Sequence, residues 1–79
     1  MRSKEIETLH RINDVLQLLF EKISNNSTNP FEILDALDET IELVQEIAEI
    51  IPHDSFYRRV PEEHLVGLKK LRDEVVSGL

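Results

Sequence analysis

The 79-residue chain contains no cysteine. This absence excludes a disulfide framework, a thiolate metal site and a cysteine nucleophile, and it fits a reducing compartment. Residues 1–15 lack the apolar segment of a signal peptide, and no apolar run reaches the length of a membrane span. We therefore expect a cytoplasmic protein that makes no contact with a membrane.

Glycine and aromatic residues are also scarce, with two glycines, three phenylalanines, one tyrosine and no tryptophan. Because Gly67 and Gly78 are the only glycines, the chain cannot form a glycine-rich phosphate loop. No stretch alternates between apolar and polar residues as a half-buried strand would. The patterns that remain are helical, and they divide the chain into three segments.

Apolar residues recur in each segment at spacings of three or four, which is the pattern of an amphipathic helix. The spacing predicts helices at about 4–24, 30–51 and 61–77. The apolar seam of the first helix is formed by Leu9, Ile12, Leu16, Leu19 and Ile23, and is widened by Val15, Leu18 and Phe20. The second seam is Leu34, Leu37, Ile41, Val44, Ala48 and Ile51, and the third is Leu65, Leu68, Leu71 and Val75.

Helix-boundary signals support this division. Asn29 suits an N-cap, Pro30 suits the first helical position, and Glu32 stands three residues after the cap, as in a capping box. We expect Pro52 to stop the second helix and Pro61 to begin the third. The other expected caps are Ser3 and Gly78.

The short loop between the first two helices forces them into an antiparallel hairpin, and the third helix can return along the pair. We therefore predict an all-α fold, a single-domain antiparallel three-helix bundle over residues 1–79, with a corner at residues 52–60. Such a bundle can also dimerise into a larger one.

Lysine and arginine are missing from the middle of the chain. The net charge is −7, and residues 23–54 hold eight acidic residues and no lysine or arginine. Five of these acids recur at helical spacing and form an acidic stripe: Asp35, Glu39, Glu42, Glu46 and Glu49. The stripe is a solvated face, a set of cross-helix ion-pair partners, or a docking face for a protein with a basic surface. Such a negative field repels phosphates, so we expect no direct binding of nucleic acid.

The predicted second helix also carries more apolar residues than one seam needs. Leu43, Ile47 and Ile50 form a second strip beside the seam. A central helix can bury a wide apolar face within one chain, so the strip can be ordinary core. It can equally be a self-association surface, and we predict a homodimer on this basis.

The stretch PHDSFYRRVPEEH, residues 52–64, holds the only tyrosine and the only adjacent arginine pair. We expect a structural corner with a short helical turn capped by Asp54 or Ser55, and with Phe56 plugging the end of the core. The alternative is a partner contact through Tyr57, Arg58 and Arg59, because tyrosine and arginine are common hot-spot residues.

Few residues of the chain are arranged to bind a metal or to catalyse a reaction. His10, His53 and His64 lack metal-ligand spacing, and the second helix has no base to contribute to a charged pocket. We therefore predict no cofactor, no metal and no enzymatic activity. The predicted function is that of a small acidic interaction module, an adaptor, regulator or inhibitor of a basic protein partner. The alternatives are a homodimeric structural or regulatory module and, less favoured, a small helical enzyme or metal site.

Overall fold

The computed structural model describes residues 4–25 and 29–79 of the chain. Helix α1 spans Lys4–Asn25, α2 spans Pro30–Ala48 and α3 spans Arg59–Ser77, and a 3₁₀ turn at Phe56–Arg58 precedes α3. The described residues contain no strand, so the predicted all-α class is confirmed. The expected cap Ser3 and residues 26–28 of the hairpin loop lie outside the described ranges.

Helix α2 is central, because it packs along both α1 and α3 while those two helices touch each other only slightly. Lys22 of α1 pairs with Glu39 of α2, and Arg11 lies in one cleft with Glu46, so α1 and α2 are antiparallel. Helix α3 is also antiparallel to α2. Arg58, just before α3, contacts Ala48 at the end of α2, and Arg72, late in α3, pairs with Asp38 in the first half of α2. The bundle measures 44 × 21 × 14 Å.

The core forms where the three apolar seams meet. Its buried side chains are Ile12, Leu16 and Leu19 from α1, Ala36, Leu37, Ile41, Val44 and Ile47 from α2, and Leu68 from α3. Helix α2 supplies the most buried side chains because both α1 and α3 pack against it. Each fully buried leucine or isoleucine contributes about 1.5–3 kcal/mol relative to an exposed one, and so the burial of α2 contributes much of the stability.

The start of α2 agrees with its sequence signals, and its end does not. Asn29 Oδ1 accepts hydrogen bonds from the backbone N–H groups of Phe31, at 3.1 Å, and Glu32, at 3.4 Å, which confirms the N-cap. The helix ends at Ala48 and not at residue 51. The chain tightens there into 3₁₀-type bonds, with the N–H of Ile51 donating to the carbonyl of Ala48 at 3.0 Å.

Helix α3 begins at Arg59, two residues before the expected start at Pro61. Pro61 is buried in the first turn, where a missing N–H breaks no intrahelical hydrogen bond. The expected cap residue Gly78 does end the helix. Its φ of −81° is open to any residue, so the cap makes no use of the conformational freedom of glycine.

The prediction that Phe56 plugs the end of the core is wrong. The Phe56 side chain is 77% exposed, and its ring lies edge-on to that of Tyr57 with centroids 5.8 Å apart. Almost fully buried residues stand on either side of the corner instead, at Ile51 and Pro61. The buried positions of the corner are therefore at its two ends, and Phe56 lies on the surface.

Candidate functional site

The acidic stripe lies on the solvent side of α2, and all five of its carboxylates are exposed. The stripe consists of two rows, and the residues within each row are seven positions apart. Glu39 and Glu46 form the inner row, which borders the clefts between α1 and α2. Asp35, Glu42 and Glu49 form the outer row, which lies further round the helix from the groove described below. Asp35 also lines a separate cleft near the start of α2, together with Glu39 and Lys22.

Cross-helix ion pairing accounts for little of the stripe. Among the described residues, Glu39 is its only paired member, with Oε2 3.9 Å from Lys22 Nζ. Both side chains are exposed, so the pair is worth about 0–1 kcal/mol. Asp38, beside the stripe, accepts a hydrogen bond from Arg72, which raises the pKa of the Arg72 guanidinium.

An apolar groove runs between α1 and α2 beside the inner row. Two adjoining clefts of about 410 and 270 Å³ form it, and both are lined by Val15 and Leu43. Leu18 of α1 and Ile50, two residues after the end of α2, extend its apolar lining. No residue of α3 lines either cleft, so this α1–α2 groove lies on a side of the hairpin that α3 leaves open.

The structure divides the predicted self-association strip. Leu43 and Ile50 are 39% and 46% exposed, whereas Ile47 is 8% exposed and belongs to the core. Ile47 thus forms part of the floor of the groove, and only the other two can offer an exposed surface. Charged residues of both signs border the groove. The α1 side carries two bases, Arg11 and Lys22, and two acids, Asp14 and Glu21, and the α2 side carries the inner acidic row.

At the corner, Arg58 makes contacts within the fold. Its Nη1 donates hydrogen bonds to the carbonyl oxygens of Ala48, at 2.7 Å, and Ile51, at 2.8 Å. Its Nε lies 3.6 Å from Glu62 Oε1, and the side chain is 11% exposed. The last turn of α2 holds no basic residue, so Arg58 supplies the cation that the negative end of the helix favours.

The other corner residues are arranged differently. The Arg59 side chain is 72% exposed and lies 3.8 Å from Glu63, and Tyr57 is half-buried. Ser55 Oγ accepts the N–H of Tyr57 at 3.2 Å, which confirms the expected cap of the short turn. The same hydroxyl donates to Glu5 Oε2 at 3.0 Å and so ties the corner to α1.

Sequence reasoning missed the α1 side of the groove and the capping role of Arg58. The antiparallel register could have revealed the first, because it places Val15 and Leu18 level with the strip on α2. The signal for the capping role of Arg58 was the absence of a basic residue at the end of α2. Arg58 and Arg59 follow closely in the sequence.

A further cleft of about 290 Å³ lies between α1 and α3, with Leu16, Phe20, Leu71 and His64 in its lining. Within residues 4–25 and 29–79, no three histidine or carboxylate side chains are grouped so that they could hold a metal ion. In the same ranges, no helix combines the length and apolar character needed to cross a membrane. No protein-family model, curated protein or solved structure matches the chain.

Proposed function

We propose that the protein is a small acidic interaction module that binds a protein with a basic surface and acts as its adaptor, regulator or inhibitor. The observation that carries the proposal is the outer acidic row, Asp35, Glu42 and Glu49. Its three carboxylates are exposed at intervals of seven residues and have no basic partner among the described residues.

The arrangement of the stripe costs stability. Glu42 has acidic neighbours one turn away on both sides, at Asp38 and Glu46. Each like-charge pair at this spacing destabilises a helix by about 0.2–0.5 kcal/mol. A lysine at any of these exposed positions would relieve the repulsion, so the stripe favours a role beyond solubility, namely the attraction of a positively charged surface.

The chemistry of the partner follows from the sign of the field. A negative surface repels the phosphates of nucleic acids and attracts lysine- and arginine-rich protein surfaces, whose association it accelerates. The exposed side chains of Phe56 and Arg59 offer further contacts at the C-terminal end of α2. The absence of cysteine fits a cytoplasmic location for this encounter.

The proposal is of a binding module and not of an enzyme. The charges of α2 are spread along an exposed helix face, whereas catalysis by a helical bundle needs charged groups that converge in a cleft. An extended row of charge is suited to docking a complementary surface.

Affinity capture from the source cells with three forms of the protein tests this function. The first is the wild type, the second is Asp35→Lys/Glu42→Lys/Glu49→Lys in the outer row, and the third is a control with an identical net charge. The control changes are Glu7→Lys, Asp73→Lys and Glu74→Lys, at exposed positions away from α2. Circular dichroism verifies that all three fold.

We expect at least one basic protein to be retained by the wild type and the control and to be depleted at least about tenfold on the outer-row variant. If the outer-row variant and the wild type capture the same proteins in equal amounts, the row is a solvated face and the proposed function is wrong.

A further inference from the structure

We propose that the cleft between α1 and α3 binds a small, neutral, planar aromatic molecule of one or two rings. The cleft has a volume of about 290 Å³, and its described lining comes from α1 and α3 alone. The site is therefore separate from the acidic stripe, and the proposal does not depend on the proposed binding of a basic protein.

Gly67 is the feature that points to a ligand. It lies in the interior of α3 and lines the cleft. A glycine in the interior of a helix destabilises the fold relative to alanine. Packing within the chain does not require it, because a Cβ atom at this position would meet no described atom within 4 Å apart from its chain neighbours and its own helix backbone. A glycine that the fold itself does not need is expected where a ligand approaches the backbone closely.

The walls of the cleft suit a flat apolar molecule. Leu16 and Leu68 are buried residues of the lining, 5% and 6% exposed, whereas Phe20 of α1 lines the same cleft and is 58% exposed. Aromatic rings pack edge to face or with an offset, so the Phe20 ring offers a favourable contact to an aromatic ligand. The missing side chain at Gly67 leaves space for that ligand against α3.

The size of the cleft favours a small molecule over a helix of another protein. An apolar cavity of about 150 Å³ holds one benzene ring, so a cleft of about 290 Å³ has room for two fused rings. Its lining spans residues 13–20 of α1 and 63–71 of α3, which is about 10–12 Å along each helix. A typical helix has three or four turns, and this cleft accommodates only about two.

The polar lining disfavours a charged ligand. Glu63 is its only acid, and no lysine or arginine is among the described residues that line the cleft. An anion would therefore meet a carboxylate on a chain of net charge −7. A cation gains little from Glu63, which is exposed and already lies 3.8 Å from Arg59. The amide of Gln17 and the imidazole of His64 instead offer hydrogen bonds to a neutral heteroaromatic ring.

Titration with indole, followed by the chemical shifts of the backbone amides, tests the site. We expect saturable shifts concentrated in residues 13–20 and 63–71, the two segments that line the cleft. Indole-3-acetate carries a carboxylate on the same ring system, and we expect it to bind at least about tenfold more weakly. Phenol and cyclohexanol form a second matched pair, in which we expect the planar phenol to bind at least about threefold more tightly.

Two variants test the walls. Gly67→Leu places a side chain in the cleft and should weaken indole binding at least about tenfold without lowering the melting temperature, because leucine is the better helix former. Phe20→Ala removes the exposed ring and should weaken indole binding at least about threefold. Val66→Leu is the control, since Val66 is 68% exposed on α3 and does not line the cleft, and it should bind indole as the wild type does.

The proposal is overturned if indole produces no saturable shifts up to low millimolar concentration, or if the shifts lie only in the α1–α2 groove. Equal affinity of indole for the wild type, Gly67→Leu and Phe20→Ala would also overturn it. Equal binding of indole and indole-3-acetate, or of phenol and cyclohexanol, would show that the site selects neither a neutral nor an aromatic molecule and would overturn the proposed ligand class.

Discussion

The guanidinium of Arg58 lies 2.7 Å from the carbonyl oxygen of Ala48, the last residue of α2. The same nitrogen also donates to the carbonyl of Ile51 at 2.8 Å. Carbonyl groups at the end of a helix lack intrahelical partners. The carbonyl of Ala48 also accepts the N–H of Ile51, so Arg58 adds a second bond there and supplies a bond to the carbonyl of Ile51. One side chain from the 3₁₀ turn before the third helix therefore bonds to the end of the second helix, and it joins the two elements across the corner.

We predict that Arg58→Ala lowers the free energy of unfolding by about 2–3 kcal/mol, because two partly buried, charge-assisted hydrogen bonds are lost. Arg59→Ala is the matched control. The exposed pair of Arg59 with Glu63 should contribute less than about 1 kcal/mol. Urea denaturation of both variants measures the difference, and equal stability would show that Arg58 does not hold the corner together.

Phe56→Ala should change the free energy of unfolding by less than about 0.5 kcal/mol, since the ring is 77% exposed. Leu37→Ala, at a position with no exposure, should cost about 2–5 kcal/mol and could unfold so small a domain. Thermal and urea melts of the two variants provide the comparison. A large loss for Phe56→Ala would mean that the ring packs against the core in solution.

The contrast between Phe56 and Leu37 shows what could be predicted from the sequence. Periodicity locates residues such as Leu37 on the core-facing side of a helix, because the side of a helix on which a residue lies follows from its spacing alone. The direction of Phe56 depends on how a nine-residue corner folds, and no period governs that segment. The carbonyl partners of Arg58 lie seven and ten residues away across the corner, so its capping role follows from the path of the chain and not from a motif.

The candidate site also has a part that the sequence predicts and a part that it does not. Asp35, Glu42 and Glu49 could be placed on one exposed row by counting along a single helix. The groove needed a second helix, because Val15 and Leu18 reach Leu43 only through the packing of α1 on α2. Ile47 is buried by that packing, and its spacing alone could not distinguish it from its exposed neighbours.

Asn29→Ala should lower the free energy of unfolding by about 1 kcal/mol, since its side chain caps the N–H groups of Phe31 and Glu32. Asn13→Ala is the control, because Asn13 lies in the middle of α1 and caps nothing. Its replacement should leave stability unchanged or raise it slightly through helix propensity. Equal losses for the two variants, measured in urea, would contradict the capping role.

Glu42→Gln should raise the free energy of unfolding by a few tenths of a kcal/mol at low salt, because it removes repulsion with Asp38 and Glu46. The gain should disappear at about 1 M salt, where charges are screened within about 3 Å. Glu63→Gln removes an exposed ion pair with Arg59 and should have no effect or the opposite sign. A gain for Glu42→Gln that persists at high salt would exclude charge repulsion as its cause.

The most direct test of the central claim is the rate at which the captured partner associates with the protein, followed by stopped flow across a salt series. If the outer row attracts a basic surface, the wild-type rate should fall at least about tenfold between low and high salt, as for other electrostatically steered encounters. The variant Asp35→Lys/Glu42→Lys/Glu49→Lys should associate slowly at every salt concentration, while the charge-matched control follows the wild type. Identical rates for the wild type and this variant across the series would contradict the account.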